Sequence, residues 1–390
     1  MIDIFQQLGL HRVINVSGTE TERGGAPVCQ EVLAAVAALC PHSVHMLELQ
    51  AAASLAIARA YGCEAGCVTG CTAGSISISV AAAMTGRNFG RVEQLPDTTG
   101  MKNEVIVPKA HVVSYGHDVT QSVRITGAKT IEVGFATELS RYQIEHAIGT
   151  QTAAALFVVS HLTPQNKITD LQAFAEICHD HNVPVIVDAA SQPDPRIYLQ
   201  AGADLVLFST QKTLSGLTGG VIAGKMESVQ ACMYQQHGIG RPMKAGKESV
   251  VSAIAAIERW EKTDWNAEKL TLANRTAKFS DRLASLPGLS THVVKSQVFV
   301  TVEPQEAGAS ASDIARALIN GDPMIVVWDH HAPEGELRLI LKSVSNQQAN
   351  LVCESITNIV QSGTMQGHTN NFADGPGERM TRELSVWPDY

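Results

Sequence analysis

The middle of the chain alternates short apolar runs with longer amphipathic ones, and this rhythm constrains the fold more than any other feature. "EVIVP" (Glu104 to Pro108), "ALFVVS" (Ala155 to Ser160), "VPVIVDAA" (Val183 to Ala190) and "ADLVLFS" (Ala203 to Ser209) are apolar on consecutive residues, not on alternate ones. Strands of that kind are covered on both faces. Between them, "ITDLQAFAEICHDHN" (Ile168 to Asn182) carries an apolar stripe at helical spacing and opens on Thr169 and Asp170, a capping-type start. Buried strands alternating with helices predict an α/β fold with a parallel sheet covered by helices.

From about Ile254 the texture changes. "AIAAIERWEKTDWNAEKLTLANRTAKFSDRLASL" reads as long, helical and amphipathic, linking the sheet domain to a smaller one. The smaller domain reads as strand (Ser296 to Glu303), helix (Ala311 to Gly321), strand (Met324 to Trp328), strand (Glu336 to Val344) and a last helix, an α+β unit. The polar stretch after Gly363 predicts an extended tail.

The net charge of −9 argues against a broad nucleic-acid footprint, which needs a basic surface. No run reaches the roughly 18 apolar residues of a membrane span, and the N-terminus lacks a charged-then-apolar signal pattern. A cytoplasmic protein is expected, and its scattered cysteines fit reduced thiols. Cys63, Cys67 and Cys71 are spaced four apart, but Cys71 falls in a glycine-flanked turn that breaks the helical register. "CHDH" (Cys178 to His181) points its residues in different directions on a helix. No metal site is expected.

In doubly wound sheets, ligands bind at the carboxyl ends of the strands. Three features converge there. The turn Gly70-Cys71-Thr72-Ala73-Gly74 opens a helix of small and apolar residues, and a helix N-terminus with free N–H groups is an anion site. Asp188 closes an apolar strand, where a carboxylate needs a cationic or hydrogen-bonding partner. Lys212 follows the next strand, between two hydroxyl residues and a glycine-rich loop. Each has an ordinary reading: a packed turn, a turn former, a solvated lysine. Together they suggest pyridoxal phosphate. The lysine would form a Schiff base with the aldehyde, the carboxylate would keep the pyridine nitrogen protonated, and the helix terminus, with Ser209 and Thr210, would hold the phosphate.

The stretches "RVINVSGTETERGG" (Arg12 to Gly25), His45 to Gly86, "VPVIVDAASQ", "ADLVLFSTQKTLSGLTGG" and "GIGRPMKAGKESVVSAIAAIE" (Gly238 to Glu258) carry a family resemblance over the first two thirds of the chain. The chain resembles the fold-type-I enzymes of the selenocysteine-synthase-like group, which includes L-seryl-tRNA(Sec) selenium transferase and D-glucosaminate-6-phosphate ammonia-lyase. "GRPMKAGKE" points to the ammonia-lyase branch. The resemblance implies a mostly parallel seven-stranded sheet sandwiched by helices, with a small α+β C-terminal domain. Residues 1–45 would pack on the small domain, 46–255 form the large cofactor-binding domain, 256–363 the small domain and 364–390 the tail.

The resemblance further implies Lys212 as the Schiff-base lysine and Asp188 as the partner of the ring nitrogen. It places Cys71, Thr72 and Ser209 around the phosphate and Gly220 where a neighbouring subunit's phosphate is approached. His111, Tyr115 and His117 are candidates to stack on the ring, with His117 favoured. Arg241, with Lys244 and Lys247, would line a pocket for an acidic substrate, against the alternative of a solvated basic loop. Arg338 would bind a substrate carboxylate, against the alternative of a surface pair. Glu20, Glu22 and Arg23 depart from the family's less charged pattern, so Arg23 is a substrate candidate and the substrate is expected to differ from the lyase's.

The expected activity is a lyase reaction, α,β-elimination with ammonia release from a small polar amino acid, in a homodimer or larger homo-oligomer. Racemase, aldolase and aminotransferase chemistry are the alternatives. The chain starts almost directly at "INVSGT", with no domain to grip RNA, which disfavours selenium transfer on tRNA. A non-catalytic pyridoxal-phosphate-binding protein is the reading from another class.

Overall fold

The computed structural model describes residues 3–363 except 165 and 193; the tail expected over 364–390 lies outside the described residues. The described chain has two compact units, one of residues 19–263 and one of residues 3–18 with 264–363.

The strands in chain order are β1 (Val13–Asn15), β2 (Ala65–Thr69), β3 (Glu104–Pro108), β4 (Lys129–Val133), β5 (Thr152–Val158), β6 (Val185–Asp188), β7 (Leu205–Ser209), β8 (Gly220–Gly224), β9 (Leu289–Val294), β10 (Gln297–Val302), β11 (Met324–Val326) and β12 (Glu336–Ile340). The large unit holds a seven-stranded sheet in the order β2-β8-β7-β6-β5-β3-β4. Strands β4, β3, β5, β6 and β7 pair in parallel, and β8 runs antiparallel to both β7 and β2. The mostly parallel, seven-stranded α/β architecture is thus the one the sequence predicts. The consecutive apolar runs have the reason given for them: every residue of β2, β5, β6, β7 and β8 is buried.

Helix Thr72–Thr85 lies against this sheet with twelve buried residues, three of them serines. Small side chains let helix and sheet approach closely, and the buried hydroxyls find partners. Ser75 Oγ lies 2.7 Å from Thr69 Oγ1, and Ser77 Oγ donates to Ser122 O at 2.7 Å.

The outer edge of β2 is closed by side chains, not by another strand. From helix Met46–Tyr61, Gln50 Nε2 donates to Val68 O at 2.7 Å and its Oε1 accepts from Val68 N at 2.9 Å. One turn on, Ser54 Oγ accepts from Gly66 N at 3.1 Å. These are the bonds a neighbouring strand would make.

The sequence after Ile254 forms two helices, not one. Lys247–Lys262 stops before Asp264, whose carboxylate accepts from the N–H groups of Asn266 and Ala267 and starts Trp265–Ala284 afresh. In the smaller unit, β10 is flanked by β12 and β9 in an antiparallel sheet. Alternate residues of β10 and β12 are buried, with Val298, Val300, Leu337 and Leu339 meeting Ile314, Leu318, Val352 and Ile356 from two helices. Strand β9 has no counterpart in the sequence reading. It is an edge strand with one buried residue, Leu289, so it lacks the apolar pattern that marks a strand. Strand β1 joins this unit by pairing in parallel with β11.

Candidate active site

Three strands of the large unit end at the carboxyl edge of the sheet, and a fourth begins there. Strand β2 runs out at Thr69 into the Gly70–Gly74 turn, β6 ends on Asp188, and β7 ends on Ser209, followed by the short helix Thr210–Thr213 with Lys212. The first residue of β8, Gly220, is in register with Thr69 on one side and Ser209 on the other. A Cβ on Gly220 would lie 2.5 Å from the carbonyl of Cys71 and from Ser75 Oγ. Only glycine lets the turn close over the strand here. Across that gap Thr72 Oγ1 meets Ser209 Oγ at 2.6 Å, both residues buried. Within one chain, therefore, Gly220 faces Cys71.

Cys71 is the N-cap of helix Thr72–Thr85, its Sγ accepting from Gly74 N at 3.3 Å. Gly70 N donates to Met243 O at 2.8 Å and Ser75 N to Cys71 O at 2.9 Å. The N–H groups of Thr72 and Ala73 have no intrahelical acceptor at this end of a helix. Two backbone donors, the helix dipole and two hydroxyls therefore converge at one place, the donor set a phosphate requires.

Asp188 is 5% exposed. Among the described residues its carboxylate accepts one hydrogen bond, from Ala190 N at 3.1 Å. Burial pushes its pKa up to about 6, against the lowering pull of that bond and of the Lys212 charge. A buried carboxylate with one backbone partner fits a cationic N–H such as a protonated ring nitrogen. Lys212 Nζ lies 3.5 Å from Ser191 Oγ, in the turn that follows Asp188. The same turn accepts Thr213 Oγ1 at Gln192 O, 3.4 Å away.

The segment after β3 supplies the aromatic candidates. His111 is buried, its Nδ1 accepting from Val158 N at 3.3 Å and its ring edge-on to Phe157 at 4.3 Å. Burial pulls its pKa down to about 4, so it is a neutral packing residue at pH 7. Tyr115 and His117 pack edge to face at 4.9 Å, and both reach Ser122 Oγ at 3.5 Å. Burial pushes the Tyr115 phenol up to about 12; the Ser122 hydrogen bond opposes this and the Asp188 charge adds to it. His117 Nδ1 is buried with no hydrogen-bond partner among the described residues.

The remaining candidates lie in three places. Arg23 ends a 3₁₀ turn, Thr21–Arg23, and is exposed. Arg241 opens another, Arg241–Met243, whose Met243 carbonyl covers Gly70. Arg338 belongs to the smaller unit, where its guanidinium stands 3.8 Å over the Trp328 ring. Lys247 is spoken for by structure: its Nζ donates to Cys40 O at 2.7 Å and His42 O at 2.6 Å, closing the end of helix Gln30–Leu39.

Two residues near Lys212 escape the sequence reading. Ser191, beside the lysine amine, had a usable signal, a hydroxyl three residues after a strand-ending acid. Gln211 had none. It is buried, its Oε1 accepts from Gly219 N at 3.2 Å and its carbonyl from Ala26 N at 2.7 Å. It thus ties two distant segments to the lysine's own turn.

Comparison with known proteins finds a match to the family described as Cys/Met metabolism PLP-dependent enzyme over residues 104–253. The chain is 31% identical over 366 residues to the D-glucosaminate-6-phosphate ammonia lyase of Salmonella typhimurium, covering 92% of this chain and 98% of that one. It is 33% identical over 350 residues to a 5'-C-glycyluridine monooxygenase-decarboxylase of a Streptomyces species, covering 87% and 88%. Among solved structures, a D-glucosaminate-6-phosphate ammonia-lyase superposes with a TM-score of 0.86 at 31% identity, over 93% of this chain and all of that one.

Proposed function

Because the chain belongs to the fold-type-I, pyridoxal-phosphate-dependent enzymes of the selenocysteine-synthase-like group, we propose that it is a lyase acting at Cα and Cβ of a small polar amino acid, eliminating the β-substituent and releasing ammonia. The observation that carries the site is Asp188, a buried carboxylate with one backbone partner, lying one strand away from Lys212 and beside an open helix N-terminus. Asp188 would face the ring nitrogen. Thr72, Ser209, the N-cap turn at Cys71 and the close-packed Gly220 would form the phosphate cradle. His117 would present its ring to the cofactor face.

When bound, the cofactor supplies an aldehyde that captures an amine and a ring that withdraws electrons from the α-carbon. Lys212 is the base that takes the α-proton, held by the turn of Ser191 and Gln192. Its protonated amine is then the acid for the departing β-oxygen. The enamine released tautomerises, and water hydrolyses it to a 2-oxo acid and ammonia. Arg23 and Arg241 stand for the substrate's anionic groups.

A second reading, decarboxylation at Cα, draws on the Streptomyces relative's name. Racemase, aldolase and aminotransferase reactions share the first proton transfer. Selenium transfer on tRNA has the least support, since a net charge of −9 offers no broad basic face. We place the protein in the cytoplasm; among the described residues no helix is long and apolar enough to cross a membrane. A homodimer or larger homo-oligomer with sites at the subunit interface draws support from Leu47 and Leu55, 60% and 72% exposed on the helix Met46–Tyr61.

The test is a panel of D- and L-amino acids in heavy water, read for α-deuterium exchange, 2-oxo acid, ammonia and carbon dioxide. Oxo acid with ammonia is expected, and Lys212→Ala should lower it by about 10³-fold or more. Turnover persisting in that variant, with cofactor still covalently held, overturns the reading. Carbon dioxide as the product selects the decarboxylase.

A further inference from the structure

Resting on that reading, we propose that Ser122 and Tyr115 are positioning residues: they fix the tautomer of His117 so that its Nδ1–H is a hydrogen-bond donor to an anionic oxygen of the group bound beside Asp188.

The segment that carries them is anchored next to Asp188. At its start, His111 Nδ1 accepts from Val158 N at 3.3 Å, and Val158 is the residue of β5 in register with Asp188. At its end, Ser77 Oγ donates to Ser122 O at 2.7 Å, which ties Ser122 to the helix opened by the Gly70–Gly74 turn. Between these anchors Val119 N donates to Val113 O at 3.0 Å and Tyr115 N to His117 O at 3.2 Å. Gly116, at φ +114°, turns the chain so that Tyr115 and His117 meet at one hydroxyl. Burial raises the Tyr115 phenol most, and the charges of Asp188 and Cys71 raise it further. The pair thus stands among the groups that would hold the ring nitrogen and the phosphate.

The protons follow by counting. Ser122 Oγ has one proton to give and two neighbours, Tyr115 Oη and His117 Nε2, each 3.5 Å away. Distances this long are common at a site before its ligand is bound. The phenol is the strongest donor of the three groups, and an imidazole nitrogen the strongest acceptor. Tyr115 therefore donates to Ser122, and Ser122 to His117 Nε2. A neutral imidazole then carries its one proton on the other nitrogen. That nitrogen, Nδ1, is buried without a partner among the described residues. A buried donor with no acceptor is costly, so the bound group supplies one. The ring oxygen of the cofactor and the carboxylate of the amino acid both have the chemistry required.

Proton–nitrogen NMR of protein carrying isotope-labelled histidine reads the tautomer directly, with His117→Gln to assign the resonance. The cofactor-free wild type should show His117 protonated at Nδ1. Ser122→Ala should replace this with a mixture or with the Nε2–H form, Tyr115→Phe should do so in part, and Ser122→Thr should restore the wild-type pattern. A shift of the Nδ1 resonance on adding pyridoxal phosphate identifies the ring oxygen as acceptor; a shift only on further addition of an amino acid identifies the carboxylate. Ser122→Ala should weaken binding of whichever ligand causes the shift by about tenfold. A wild type protonated at Nε2, a tautomer indifferent to Ser122→Ala, or an Nδ1 resonance that neither addition moves overturns the proposal. The reaction reading fails by a different result, the absence of α-deuterium exchange with every amino acid, whichever tautomer His117 holds.

Discussion

Asp188 makes the cofactor-free protein unstable in a way that can be measured. Its pKa is about 6 in the folded chain and 3.8 when unperturbed, so the folded state holds the proton more tightly than the unfolded one. The sign follows from linkage: stability is greatest below 3.8, falls as pH rises from 3.8 to 6, and is level above that. A two-unit shift is worth about 3 kcal/mol. About 2 kcal/mol of it falls between pH 4.5 and 7, or roughly 4–8 °C in Tm for a unit of this size. The perturbation is Asp188→Asn, which has the same shape and no charge. Its amide leaves donors unmet at every pH alike, so that cost cancels in the pH slope. Thermal melts of cofactor-free wild type and variant across pH 4.5–7.5 should show the wild type losing ground on the variant by about 2 kcal/mol as pH rises, whatever their offset at the acid end. Adding pyridoxal phosphate should reverse this at pH 7.5, stabilising the wild type more than the variant. Parallel curves for the two cofactor-free proteins would refute the reasoning.

Gly220→Ala should destabilise the large unit by about 1–3 kcal/mol and weaken cofactor retention on gel filtration, because the new methyl meets Cys71 and Ser75 at 2.5 Å. Tyr61→Phe should be neutral or slightly stabilising in urea denaturation. The Tyr61 ring packs against Phe208 and Trp260, and its hydroxyl is buried without a hydrogen-bond partner among the described residues, so removing it removes an uncompensated group.

What the sequence discloses depends on how local the cause is. Asp188 and Lys212 are legible because each is a polar residue at the end of an apolar run, and strand ends in parallel sheets fall on one edge. Four strands of the parallel sheet are legible from their apolar runs, and its seven-stranded extent only through the family resemblance; β4 is mostly unburied and carries no such run. The meeting of Thr72 with Ser209 is not, because it joins residues 137 positions apart across a glycine whose role is to be absent. Gln211 is equally silent: its bonds to Gly219 and Ala26 need the tertiary fold to exist first. The exposed strand β9 carries no apolar period, and Asp264 splits a helical stretch through its side-chain bonds, where the hydrophobic pattern runs on unbroken.

The closing of the β2 edge by Gln50 and Ser54 bears on how the chain is made. Strand β2 pairs with β8, as Ala65 with Gly224, so its partner is synthesised long after it. At ribosomal speed the interval of some 150 residues lasts roughly 8 to 30 seconds. Throughout it, a strand whose every residue is buried in the finished fold is in the nascent chain with nothing beside it in the sheet. The helix that carries Gln50 is already there, only 18 positions upstream of Val68. It can fold over the strand at once and satisfy one edge, leaving the other for β8. The residues that guard the finished sheet's rim thus also shelter its first strand before the sheet exists.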